Sequence, residues 1–209
     1  MYPITKRNQP ASLAQYKREA SATYKGMPQQ VREDLIGSLL NEQGHVCAYC
    51  MKRIKANAMR VEHWASRKNN SGLQLDYKNL LACCQGNEGQ AKESYTCDKR
   101  KGDAVLMFSP SEASHNIKSK IDYHEGGKIK SHDATFNRQL NEVLNLNETR
   151  LVSNRKAALS VIQGELNKKS GTRDKREIQR MLNNVLSRNR RGQHKEYMGF
   201  LASYLEKKL

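Results

Sequence analysis

Acidic residues and large apolar side chains are both scarce in this chain. Its 209 residues include 21 Asp or Glu against 37 Lys or Arg, which gives a formal net charge of +16. Only 37% of the residues are hydrophobic, and the mean hydropathy is -0.86. A surplus of positive charge attracts polyanions, so we expect nucleic acid or an acidic protein as the partner.

Long apolar runs and a full set of cysteine pairs are also missing. No stretch approaches the ~20 apolar residues that cross a bilayer, and residues 1–10 lack the apolar centre of a signal peptide. The five cysteines are an odd number, and four of them fall into pairs whose spacing suits a metal better than a disulfide framework. We therefore expect a cytoplasmic protein without a membrane partner.

Hydrophobic periodicity predicts an α+β protein whose main strands lie in the middle of the chain. Apolar residues at helical spacing predict helices over 11–25 and 28–43, and Gly44 is placed to end the second. The other predicted elements are strands at 59–64 and 80–83, a hairpin of 117–123 with 127–130, helices at 134–146, 178–186 and 197–205, and a further helix capped by Asn147.

The C-terminal region supplies +10 of the net charge, because residues 150–209 contain 15 Lys or Arg against five Asp or Glu. Its basic clusters either track phosphates or form a solvated helical face. Aromatic residues at helical spacing favour a place in the core over stacking on bases. These aromatic residues are Tyr197, Phe200 and Tyr204, and the basic clusters are Lys168-Lys169, Arg173-Asp-Lys-Arg176 and Arg188-Asn-Arg-Arg191.

Cysteine spacing predicts a structural zinc site. Cys47-Ala-Tyr-Cys50 presents two thiolates from one tight turn, and a second pair would complete the tetrahedral sulfur cage that zinc prefers. Cys97 supplies one member of that pair. Cys83 and Cys84 both remain candidates for the other, because neighbouring residues on a strand point in opposite directions.

Two alternatives to this zinc site stay open. His45 lies beside the first pair and could replace a cysteine as a ligand. A set of buried free thiols would have the same spacing without any metal.

Polar residues of hydrolytic type lie between and beside the cysteine pairs. Glu62-His63 stands between them, Asn79 follows, and Cys97-Asp98-Lys-Arg-Lys101-Gly closes the segment. A Glu-His dipeptide alone is most often a surface pair or a histidine with satisfied hydrogen bonds. The order of all these residues together carries the signal.

That order resembles the HNH endonuclease family with its ββα-metal motif. The resemblance covers about residues 45–103 and is most like the HNH subunit of Septu-type and retron-associated antiphage systems, in which a companion ATPase is usual. A weaker match through Leu144-Asn-Leu-Asn147 extends to about residue 160. The resemblance implies Cys84 as the remaining zinc ligand, so that the zinc set is Cys47, Cys50, Cys84 and Cys97.

The resemblance also implies a role for each polar residue. His63 would be the general base that activates water, and Asn79 would accept a hydrogen bond from its other ring nitrogen. Glu62 and Asp98 would hold a catalytic Mg or Mn ion on the scissile phosphate. Lys101 is either a phosphate contact or an exposed helix residue.

These expectations define three segments and a function. Residues 1–44 form a helical brace, residues 45–108 the zinc-stapled ββα-metal nuclease core, and residues 109–209 a hairpin with a basic helical region. The chain is expected to be the effector nuclease of an antiphage complex with an ATPase partner, acting on DNA more than on RNA. The alternative is a non-catalytic zinc module that binds nucleic acid or docks a partner.

Overall fold

A computed structural model gives the fold of residues 1–168, 171 and 174–209. The mixed α+β architecture predicted from the sequence is confirmed, with two small sheets and several helices. The elements are α1 (Ala11–Tyr16), α2 (Gln29–Gln43), β1 (Met59–His63), β2 (Leu80–Cys84), α3 (Cys97–Lys101), β3 (Asp122–Tyr123), β4 (Ile129–Lys130), α4 (Ala134–Arg138), α5 (Thr149–Asn167), α6 (Lys175–Leu186) and α7 (Met198–Glu206).

The first two helices differ in how well the sequence predicts them. Helix α1 ends at Tyr16 and not at residue 25, because the Tyr16 hydroxyl bonds both the carbonyl and the amide of Thr23 and closes a turn. Helix α2 ends as predicted, with Gly44 in the left-handed region at φ +60. An added Cβ at Gly44 would lie 2.3 Å from the His194 ring, so glycine is also required sterically.

The central β-hairpin carries the predicted site residues. Strands β1 and β2 pair antiparallel, with Met59 opposite Cys84 and His63 opposite Leu80. The carbonyl of Asn79 accepts from the Trp64 amide and extends the pairing by one bond. Helix α3 contacts β2. The hairpin and α3 together bring residues 62–63 and residue 98 to one side of the molecule.

The second hairpin and the helix after it are shorter than predicted. Residues Ile117–Lys120 form a 3-10 turn, which leaves two-residue strands at β3 and β4. Helix α4 continues into one wider π-helical segment, Gln139–Val143. Asn147 does not cap α5, because its side chain bonds both the amide and the carbonyl of Ile129. Glu148 caps α5 by accepting from the Leu151 amide.

The basic C-terminal clusters have mixed environments. The Arg188 guanidinium donates to the carbonyls of Asn41 and Glu42, so this residue joins α2 to the C-terminal region and is not free for phosphate. Lys168 pairs with Glu165 on the surface of α5. The parts of the predicted clusters at residues 169 and 173 lie outside the described residues.

One buried apolar cluster contains residues from all three predicted segments, from Leu13 in α1 to Leu205 in α7. Tyr197 and Phe200 belong to it, which confirms a place in the core for both, and Tyr204 packs against it half-buried. The division into three segments stays a prediction. In the part of the chain that the structure describes, no helix has the length and apolarity that crossing a bilayer requires.

Candidate active site and metal centre

Four buried cysteines converge on one point. The sulfur atoms of Cys47, Cys50, Cys84 and Cys97 all lie within 4.8 Å of one another. Sulfurs that share one tetrahedral zinc at about 2.3 Å lie roughly 3.8 Å apart. The Cys50 and Cys84 sulfurs are separated by 3.8 Å. The four thiols therefore fit a metal such as zinc, and all five cysteines of the chain are unbridged.

The first cysteine pair lies in a tight turn. The Met51 amide donates to the Cys47 carbonyl at 3.0 Å, and the Cys47 amide donates to the Lys52 carbonyl at 2.9 Å. Met51 adopts a left-handed conformation at φ +63, which reverses the chain after Cys50. These bonds place both sulfurs on the same side of the turn.

The second pair is brought together by a closed loop. Cys84 ends β2 and Cys97 begins α3, and the Thr96 amide donates to the Gly86 carbonyl at 3.1 Å to close the base of the loop. Gly86 has a φ of +61, and an added Cβ would lie 2.2 Å from the Thr96 oxygen. Only glycine fits there without displacing backbone.

The choice among Cys83, Cys84 and His45 as a ligand can be compared with this cluster. Cys84 is in the four-sulfur group, whereas Cys83 and His45 are not. Cys83 lies opposite Arg60 in the hairpin, and burial raises the pKa of its thiol well above the ordinary value. The predicted choice of Cys84 agrees with the geometry.

Three predicted site residues line one open cavity of about 480 Å³. Glu62 and His63 enter it from the end of β1, and Asp98 enters it from α3. The cavity is also lined by Tyr24, Arg60, Val61, Ser66, Arg67, Lys68, Gly102 and Asp103. Carboxylates, an imidazole and several cations thus share one solvent-accessible space, and Asp98 directly follows Cys97 of the four-sulfur group in the chain.

The His63 ring is held with a defined free nitrogen. Its Nε2 donates to the Gln74 carbonyl at 3.0 Å, because a carbonyl oxygen can only accept. Burial is the main cause that lowers the pKa of His63 from 6.5 to about 4. The ring is therefore neutral at pH 7, and Nδ1 is its unprotonated nitrogen.

Asn79 does not make the predicted contact with His63. Its side-chain oxygen accepts from the Ala65 amide at 2.7 Å, and its amide nitrogen donates to the carbonyls of Ala65 and Leu73. The Gln74 carbonyl takes the position expected for Asn79 at the ring. Asn79 instead forms hydrogen bonds with both ends of the loop that runs from residue 65 to 73.

Glu62 is buried against a carboxyl group and two donors. Burial raises its pKa well above 4.5, and a hydrogen bond with Asp98 is the next cause. Its Oε1 accepts from the Tyr49 hydroxyl and lies 2.8 Å from the Lys101 ammonium. Two touching carboxyl groups share a proton unless a cation lies between them, so this pair is a suitable ligand set for a hard divalent ion.

Lys101 fits neither of the roles expected for it. Its side chain is fully buried, and besides the ion pair with Glu62 its ammonium donates to the His63 carbonyl at 3.2 Å. It therefore holds the carboxylate and the end of β1 together. Arg60 makes a longer contact of 3.6 Å with Asp98 while it pairs with Glu88 at 2.7 Å.

The comparison with known proteins agrees with the resemblance seen in the sequence. A protein of Vibrio cholerae serotype O1 biovar El Tor, named "Retron Vc95 putative HNH endonuclease", is 26% identical over 136 residues. The match covers 58% of this chain and 62% of that protein's length. No family model matches the chain. The predicted similarity to HNH endonucleases, in a retron context, is confirmed.

Sequence reasoning missed Gln74, Tyr49 and Tyr24. Gln74 acts on His63 through its backbone carbonyl, and no side-chain pattern signals that. Tyr49 lies inside the first cysteine turn, where its place in the Cys-x-Tyr-Cys sequence was the available signal. Tyr24 contacts the His63 ring edge-on at 4.5 Å from a segment expected only to brace the core.

Proposed function

We propose that this chain is a metal-dependent HNH endonuclease that hydrolyses phosphodiester bonds of nucleic acid through a ββα-metal site. The observation that carries the proposal is the shared cavity of Glu62, His63 and Asp98 in a chain that also brings four cysteine sulfurs together. The name of the Vibrio cholerae relative supports it. In this proposal β1, β2 and α3 are the ββα-metal core, and the cysteines hold a structural zinc.

His63 is the general base of the proposed reaction. Its Nδ1 takes a proton from the attacking water, while the Nε2 bond to Gln74 keeps the ring in the required tautomer and orientation. The low pKa keeps Nδ1 unprotonated at neutral pH. Asn79 serves this step indirectly, because it fixes the loop that leads to Gln74.

Glu62 and Asp98 are the proposed ligands of a Mg or Mn ion. When bound, such an ion neutralises charge on the scissile phosphate and stabilises the departing oxygen. Lys101 and Tyr49 restrict Glu62 to one orientation, since both bond to its Oε1. This support compensates for the extra flexibility of the Glu side chain.

Charge and the resemblance indicate the substrate and the setting. A net charge of +16 supports salt-sensitive binding to phosphates with little sequence choice. We propose DNA before RNA as the target, an ATPase partner, and a role as the effector of a cytoplasmic antiphage system. The basic C-terminal region would contribute affinity for nucleic acid or dock the partner.

A cleavage assay with purified chain tests the activity. Plasmid DNA, single-stranded DNA and RNA are incubated with MgCl2, and the wild type is compared with His63→Ala. Loss of cleavage in His63→Ala is expected, with zinc content unchanged and cooperative thermal unfolding retained at a lower Tm, because the His63 ring is buried. His124→Ala is the matched control, because His124 is exposed and lies outside the cavity. Equal cleavage by His63→Ala would contradict the proposal and favour a non-catalytic zinc module.

A further inference from the structure

Arg67 holds a free guanidinium inside the candidate active site. It lines the same cavity as His63 and Asp98, and its Cζ lies 4.7 Å from the centroid of the Tyr24 ring. The side chain is exposed, and among the described residues it makes no ion pair. All five of its N–H donors are therefore available to a ligand.

The Tyr24 ring beneath Arg67 is itself fixed in place. The Tyr24 amide donates to the Gln74 side chain at 3.0 Å, and Arg32 donates to the Tyr24 carbonyl at 3.1 Å. The ring meets the His63 ring edge-on, with an angle of 86° between the planes. Gln74 thus bonds Tyr24 through its side chain and His63 through its backbone. These two bonds link the Tyr24 ring that supports Arg67 to the proposed base.

The other cations of the cavity differ from Arg67. Arg60 is committed to Glu88 and Asp98. The nearby Lys101 does not line the cavity and is committed to Glu62. Lys68 is exposed and unpaired among the described residues, but no aromatic ring supports it. A guanidinium stacked on a ring loses less conformational freedom on binding than a mobile ammonium, and its planar fork matches a phosphate.

We propose that Arg67, held on Tyr24, binds a backbone phosphate of the nucleic-acid strand and positions that strand against His63. This inference rests on the proposed function for its substrate class. Arg67 is then a substrate-binding residue, and Tyr24 is a positioning residue that acts through it. The residues that come before the hairpin in sequence thereby help to build the site.

Binding measurements test this contact without requiring cleavage. Anisotropy of a fluorescein-labelled DNA duplex is followed over a range of NaCl concentrations without added divalent cations, so that the intact His63 ring still packs against Tyr24. Arg67→Gln is expected to weaken binding about tenfold. The negative slope of the logarithm of the association constant against the logarithm of the salt concentration should become less steep by about 0.9, which corresponds to one lost phosphate contact. Lys128→Gln is the matched control, because Lys128 is exposed and does not line the cavity, and it should leave the slope unchanged.

The outcomes separate this inference from the proposed activity. An unchanged slope and affinity in Arg67→Gln, or an equal loss in Lys128→Gln, would overturn the role of Arg67. A reduced slope in Arg67→Gln, with no cleavage by any form of the chain, would support the phosphate contact while contradicting hydrolysis.

A double-mutant cycle tests the part played by Tyr24. Tyr24→Leu removes the ring, so Arg67→Gln should have a much smaller effect on binding in that background than in the parent chain. Tyr24→Phe keeps the ring and should retain the full effect of Arg67→Gln. Additive effects of Tyr24→Leu and Arg67→Gln on binding would contradict the proposal that the Tyr24 ring positions Arg67.

Discussion

Two single variants, Cys83→Ala and Cys84→Ala, show which of these neighbouring cysteines binds the metal and which is a buried free thiol. A structural zinc contributes about 10–16 kcal/mol in small four-ligand sites, so loss of one ligand forfeits roughly 3 kcal/mol or more. For a domain of this size that corresponds to a fall in Tm of about 6–12 °C. Cys83→Ala removes one buried sulfur and leaves a small void, which costs about 1–2 kcal/mol.

The assay is zinc content by elemental analysis after dialysis against EDTA, together with thermal unfolding. Cys84→Ala is expected to lose its zinc, because the Cys84 sulfur lies within 4.8 Å of the other three ligand sulfurs. Cys83→Ala is expected to keep one zinc per chain. The reverse result, with zinc retained in Cys84→Ala and lost in Cys83→Ala, would refute the assignment. Equal retention in both variants would refute a four-cysteine site.

Three further predictions follow from individual contacts. Asn79→Ala removes three hydrogen bonds that hold the loop from residue 65 to 73. It should lower the free energy of unfolding, measured by urea denaturation, by about 1.5–4 kcal/mol. A loss under about 0.5 kcal/mol would contradict this role of Asn79. Gly86→Ala should lower Tm far more than Gly89→Ala: both positions have positive φ, but an added Cβ would lie 2.2 Å from a backbone oxygen at Gly86 and in open space at Gly89. The neutral His63 ring should contribute stability that is present above pH 6.5 and lost as the pH falls towards its folded pKa of about 4, because the unfolded chain takes up the proton first. In NMR titrations the ring should show a protonated Nε2 and no midpoint above about pH 5, and a midpoint near 6.5 would contradict the burial argument.

Local signals predicted the parts of the fold that depend on neighbours in sequence. Short strand-like runs between turn residues predicted β1 and β2, and Gly44 predicted the end of α2, since each reflects backbone preferences over a few residues. Helix α1 was predicted too long because the Tyr16 hydroxyl terminates it through a contact seven residues away. The role of Asn147 was wrong for the same kind of reason, since Ile129 attracts its side chain.

Some features of the candidate site could likewise be predicted from the sequence, and others could not. Cysteine spacing predicted a sulfur site, because such a site needs particular side chains at particular separations. The resemblance implied Glu62, His63 and Asp98, which line one cavity in the structure. The burial of Lys101 against Glu62 and the carbonyl of Gln74 at His63 were not readable, since both depend on how the hairpin packs on distant segments. The contact of Tyr24 with the His63 ring has the same origin.

The central claim is that Glu62 and Asp98 hold one hard divalent ion beside His63, separate from the sulfur-bound metal. Anomalous diffraction from crystals grown with MnCl2, recorded near the Mn and Zn absorption edges, tests it most directly. We predict a manganese peak between the two carboxylates and a zinc peak among the four cysteines. A manganese peak absent from the carboxylate pair, with zinc present at the cysteines, would contradict the proposed catalytic site.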